Sequence, residues 1–117
     1  GLNLRLTAKQ LGSLKSGDPV LYRQVKVGEV LGGDLSGDGA QVFVYLNIQP
    51  QYAQLVRSNS RFWNASGIDV EAGLFSGVDI HTESAETLLA GGVAFDTPDK
   101  KGSAAKDGQH FDLKDKP

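Results

Sequence analysis

The feature that most constrains this chain is its rhythm. Apolar residues return at every second position in short runs, and glycine-rich turns separate the runs. Leu2, Leu4, Leu6 and Ala8 alternate with Asn3, Arg5 and Thr7. A period of two gives an extended strand one buried face and one solvated face. After turns at Gly12-Ser13 and Ser16-Gly17-Asp18-Pro19, Val20-Leu21-Tyr22 reads as a second short strand. Val25, Val27, Val30 and Leu31 begin a third, which Leu35 closes. Gly28 and the Gly32-Gly33 pair interrupt it and predict a bulge or a sharp barrel bend. Ser36-Gly37-Asp38-Gly39 reads as a hairpin turn. In the following run Val42, Val44, Leu46 and Ile48 alternate with Phe43, Tyr45 and Asn47. Both sets are largely apolar, so burial on both faces is expected.

Pro50 opens a different pattern, with Tyr52, Leu55 and Val56 at helical spacing over about two turns. Arg61-Phe62-Trp63-Asn64-Ala65 returns to strand chemistry, and Val93-Ala94-Phe95 is the last clear strand before Pro98. From about residue 97 the chain is rich in Lys, Asp, Gly and Ser, the composition of a linker or loosely held tail. Phe111 and Leu113 offer one edge strand there. Short strands, glycine turns and a short helix in 117 residues suggest one small barrel or sandwich.

Residues 66–92 break the pattern. A connection longer than about 12–15 residues is usually functional or structured in itself. Here Ile68, Val70, Val78, Ile80 and Thr82 alternate with Asp69, Glu71, Asp79, His81 and Glu83 around Gly73-Leu74-Phe75-Ser76-Gly77. This predicts a projecting hairpin with an apolar tip at Leu74-Phe75. Ser84 reads as the N-cap of a short helix through Leu88, Leu89 and Ala90 that ends at Gly91-Gly92. Two readings of the tip follow. It folds back over the barrel mouth and completes the core, or it is presented to an apolar ligand or to neighbouring copies.

Most other chemistries find no support in the residues. The chain has 12 Lys and Arg against 14 Asp and Glu, without a basic cluster, so nucleic-acid binding is not expected. Phe62-Trp63 with Tyr22 and Tyr45 therefore reads as core packing rather than a base-stacking platform. Cysteine is absent, which excludes disulfides and thiolate metal sites. Asp34, Ser36, Asp38 and Gly39 match part of a calcium loop, but Tyr45 stands where the bidentate Glu belongs, so a hairpin turn is the better reading. The only histidines, His81 and His110, give no zinc spacing. No nucleophile elbow or phosphate-loop motif is present. No cofactor and no catalytic residue are expected. No run of about 18 apolar residues crosses a bilayer. Because the chain begins at Gly1 and contains no Met, it is read as a segment of a longer protein with any anchor elsewhere.

Two sets of residues carry a resemblance. Gly12-Ser13-Leu14-Lys15, then Gly17-Asp18-Pro19-Val20-Leu21-Tyr22-Arg23 and Val27-Gly28-Glu29-Val30, resemble the opening of an MCE (mammalian cell entry) domain. The stretch Asn59 to Gly67 (Asn-Ser-Arg-Phe-Trp-Asn-Ala-Ser-Gly), with Gly73-Leu74-Phe75, Thr82-Glu83-Ser84 and Leu88 to Phe95, is similar to the paraquat-inducible protein B family. The resemblance covers about residues 1–98, leaving 99–117 as a linker or partly ordered tail.

What the resemblance implies is a mostly-β fold: a small MCE-type barrel of roughly six or seven strands with one or two short helices and a long loop between the last two strands. It further implies a periplasmic location, with the full-length protein anchored in the bacterial inner membrane by segments outside this chain. Members self-associate into hexameric rings whose pore is thought to pass phospholipid or other lipid between the inner and outer membranes. The family's pore-lining loop falls on residues 68–91 here. Leu74 and Phe75 are then the leading lumen candidates, followed by Val70, Val78, Leu88 and Leu89. The competing expectation is a non-transporting spacer that scaffolds the periplasm.

Overall fold

The alternation is met by burial. Leu4 and Leu6 of the first strand are almost fully buried, while Asn3 and Arg5 face outward. The computed structural model describes residues 1–66, 69–71, 86–88 and 90–117, with side chains described for 1–66 and 90–117. In chain order the elements are β1 (Leu2–Ala8), β2 (Pro19–Tyr22), β3 (Val25–Leu35), β4 (Val42–Ile48), a 3-10 helix (Pro50–Leu55), β5 (Arg61–Asn64), β6 (Asp69–Glu71), β7 (Glu86–Leu88), β8 (Val93–Asp96) and β9 (Gln109–Lys114). Seven of the strands form a closed barrel in the order β1-β4-β3-β2-β8-β5-β9, and β9 returns to β1. Strands β6 and β7 form a separate two-stranded ladder.

β1 and β4 pair antiparallel from Leu2↔Ile48 to Ala8↔Val42, which brings Leu4, Leu6, Val44, Leu46 and Ile48 into one interior. The expectation that β4 is buried on both faces is corrected. Tyr45 is 37 % exposed, and Phe43 and Asn47 are only half-buried. Their wall faces outward, where the Arg5 guanidinium lies 4.5 Å from the Phe43 ring centre. That cation–π contact shelters an aromatic ring without enclosing it. The Gly32-Gly33 interruption is a bulge, as its letters suggested. The β3–β4 register shifts between Val30 and Gly32, and Leu31 is turned outward at 47 % exposure.

The barrel closes through residues that composition assigned to a tail. β9 runs parallel to β1 over Leu4↔Gln109 to Thr7↔Asp112, and parallel to β5 over Phe62↔Leu113 and Trp63↔Lys114. It is therefore a stave with neighbours on both sides, not an edge. Phe111 enters the core with its ring centre 4.8 Å from that of Phe62, which in turn lies 5.0 Å from Phe95. The chain leading to β9 is tied down as well. Ala105 N–H donates to Val56 O at 3.1 Å, and Gly108 N–H donates to Asn3 O at 2.7 Å.

The bore is filled with side chains and closed at both ends. Leu14, from the β1–β2 loop, and Val56, just past the 3-10 helix, are both buried in the same core. The short helix expected after Pro50 is present in 3-10 form. The second expected helix, from Ser84 to Ala90, is corrected where the structure describes it. Glu86–Leu88 are strand, paired with Asp69–Glu71 so that Val70 stands opposite Thr87. Two β-branched residues in register favour a ladder, and cross-strand pairing outweighs the local helix signal of Leu88, Leu89 and Ala90.

If β9 is a stave, Phe111→Ala should lower unfolding free energy by about 3–5 kcal/mol in urea titrations. A loss near zero would mean that the segment is dispensable to the barrel.

Candidate functional site

The long insert, residues 67–91, leaves the barrel at the end of β5 and rejoins it at the start of β8. Asn64 pairs with Val93, and Ala65 N–H donates to Gly92 O at 2.9 Å, so the barrel ladder continues one rung into the insert's base. The next residue is also fixed, because Ser66 N–H donates to the Asn64 side-chain oxygen at 2.9 Å.

The β1–β2 loop braces this root from the side. Ser13 Oγ and Ser66 Oγ share a hydrogen bond of 2.9 Å across 53 positions of sequence. Asp18, only 6 % exposed, accepts the Lys15 backbone N–H at 2.9 Å and the Lys15 ammonium at 2.7 Å. The ammonium is 66 % exposed, so the ion pair adds little and the backbone bond does the positioning. Asp18 O accepts from Val30 N–H at 2.7 Å, and Gly17 N–H donates to Val30 O at 2.8 Å. The loop is thereby clipped to β3. Gly91 lies directly against this loop. A methyl there would clash with the Asp18 carboxylate and stand 2.7 Å from Ser13 O.

Described parts of the stretches that carried the family resemblance thus meet in space. Gly12 to Asp18, Asn64 to Ser66 and Gly91-Gly92 together form the socket of the insert. None of these residues was singled out as a site residue in the sequence. Glycine pairs and serines carry no chemical signature, and only the motif matches drew them together.

Of the residues proposed from sequence, Leu74, Phe75, Val78 and Leu89 lie outside the described residues, as does His81. The backbones of Val70 and Leu88 belong to β6 and β7, whose register sets Val70 opposite Thr87 and Asp69 opposite Leu88. The partial calcium pattern is a hairpin turn. Ser36 Oγ donates to Asp38 at 2.7 Å and Ala40 N–H does so at 3.0 Å, which holds the Asp38 carboxyl below its ordinary range. Among the described residues no group of three or more His, Asp or Glu could hold a metal ion. Phe62 is a core residue as expected, while Trp63 packs on the outer wall with Leu21, Ala65 and Ala94.

Known proteins place this arrangement among relatives. The MlaD protein family matches residues 1–91. A probable intermembrane transport protein of Haemophilus influenzae is 42 % identical over 96 residues, which cover 82 % of this chain and 11 % of that protein. Lipophilic envelope-spanning tunnel protein B of Escherichia coli K12 is 39 % identical over 117 residues, covering 98 % of this chain and 13 % of the relative. The chain therefore spans little more than a tenth of the length of these relatives.

The socket makes a specific demand at Gly91. Gly91→Ala should cost on the order of 1–3 kcal/mol through overpacking and shift the amide resonances of Ser13, Lys15 and Asp18. Gly37→Ala, where a methyl meets nothing within 4 Å, should change stability by less than about 0.5 kcal/mol. Equal effects at the two glycines would contradict the socket.

Proposed function

The chain belongs to the MlaD protein family of MCE-type barrels, and from that premise we propose that it is a non-catalytic, lipid-handling module of a bacterial envelope protein. Its parent is anchored in the inner membrane by other segments and spans the periplasm. Copies assemble there into hexameric rings, and phospholipid or another lipid moves through the shared lumen between the two membranes. The names of the relatives, an intermembrane transport protein and a lipophilic tunnel protein, support the setting.

One observation carries the reading: the barrel's own bore is packed solid. Leu4, Leu6, Val44, Leu46, Phe62 and Phe95 fill it, each no more than 2 % exposed. A barrel of this size holds side chains, not a channel. Any lipid path must therefore run outside the bore, and the insert rooted at one rim is the segment proposed to line it. Leu74 and Phe75 are its leading contacts, with Val70, Val78, Leu88 and Leu89 behind them.

Apolar contact suffices for such a path. Each methylene moved from water into an apolar lumen gains roughly 0.8 kcal/mol, so an acyl chain partitions strongly without specific bonds. A closed ring also hides apolar tips that a lone protomer would expose. No covalent step is required.

The second reading is a spacer, in which the insert only joins ring to ring. Leu74→Asp separates the two in the protein that carries this chain. A charge at the lumen should abolish lipid transfer between donor and acceptor membranes while native mass spectrometry still detects the intact assembly. Loss of assembly together with transfer would favour the spacer.

A further inference from the structure

A polar cleft of about 490 Å³ opens at the same end of the barrel as the insert's root, above the ends of β1, β5 and β9. Lys9, Lys114, Asp112 and Asp115 line it, with Gly12 and Asn64 between them and the socket. Two features set it apart from an ordinary charged surface. First, neither lysine forms an ion pair with either carboxylate, although all four border one gap. The described ion pairs are Lys15–Asp18, Arg61–Asp96 and the 3.9 Å approach of His110 to Asp112. Opposite charges on exposed chains thus border one cleft without pairing across it, and only Asp112 has a described neighbour of opposite sign, His110. Second, the Asn64 oxygen is committed to Ser66 N–H, which leaves its amide nitrogen as a donor on the side of Gly12.

From this arrangement we infer that the cleft binds a zwitterionic phosphodiester headgroup. The phosphate sits between the Lys9 and Lys114 ammonium groups with a hydrogen bond from the Asn64 side chain, and the ligand's ammonium meets Asp115 and Asp112. Charge-assisted bonds of both signs recognise such a group, whereas a simple anion would be opposed by the two carboxylates. This inference deepens the lipid-handling reading and rests on it for its biological meaning: the headgroup would be held at the rim while the acyl chains lie along the insert.

The test uses soluble headgroups, so it does not depend on transport. The isotope-labelled chain is titrated with glycerophosphoethanolamine, and separately with inorganic phosphate, while amide and side-chain resonances are followed. Saturable shifts confined to Lys9, Gly12, Asn64, Lys114 and Asp115 are expected. The doubly substituted K9Q/K114Q chain should bind at least about tenfold more weakly, with an unchanged unfolding midpoint because both residues are exposed. Asp115→Asn should weaken the zwitterion and strengthen phosphate. Absence of saturable shifts at these residues would overturn the inference, as would phosphate binding as tightly as the zwitterion, which would mark a free-phosphate site. Undiminished lipid transfer in insert variants such as Leu74→Asp, with headgroup binding intact, would count against the conduit and leave this site standing.

Discussion

The structure depends on the closure of its sheet around a solid interior. Phe111 on β9 packs against Phe62 on β5, and β9 itself bonds to β1. That contact removes the last two free edges, which would otherwise invite pairing with other chains. It also fixes the bore as a core. Once the interior is full, the rim is where this small barrel can act, and the rim is where its one long connection emerges. Filling and closure are consequences of the same packing.

The socket brings together distant stretches of the sequence. Closing a connection of about 25 residues costs chain entropy, which whatever holds its two ends must offset. Here the ends are held by a barrel rung, by the Ser13–Ser66 bond and by the close fit of Gly91 to the Asp18 loop. The loop in turn is clipped to Val30 of β3. The bonds around Asp18 thus brace the root of the insert from the side.

Much of the barrel was legible because half-buried strands write a period of two. β1 to β5 and β8 stand where alternation and turn residues set them, and the bulge stands at Gly32-Gly33. Three features were hidden, each for a physical reason. β9 offers only Phe111 and Leu113 among Gln, His, Asp and Lys, and its partners lie about fifty positions away in β5 and about a hundred in β1, so its composition resembled a tail. β4 reads as apolar on both faces because its outward wall carries Phe43, which Arg5 shelters without enclosing, and the exposed Tyr45. β7 carries helix-forming letters, yet pairs with β6. The socket was invisible as a site because its work is done by backbone groups, two hydroxyls and the lack of a side chain at Gly91. The apolar tip expected at Leu74-Phe75 lies outside the described residues and stands as the leading proposal for lipid contact.

The central claim is that lipid passes along the insert and not through the barrel. Photo-crosslinking in living cells tests it most directly, with a crosslinker at Phe75 and another inside the bore at Leu6 of the intact protein. Labelled lipid captured at Phe75 and absent at Leu6 is the predicted result. Lipid captured at Leu6, or none at Phe75 in assembled protein, would contradict it.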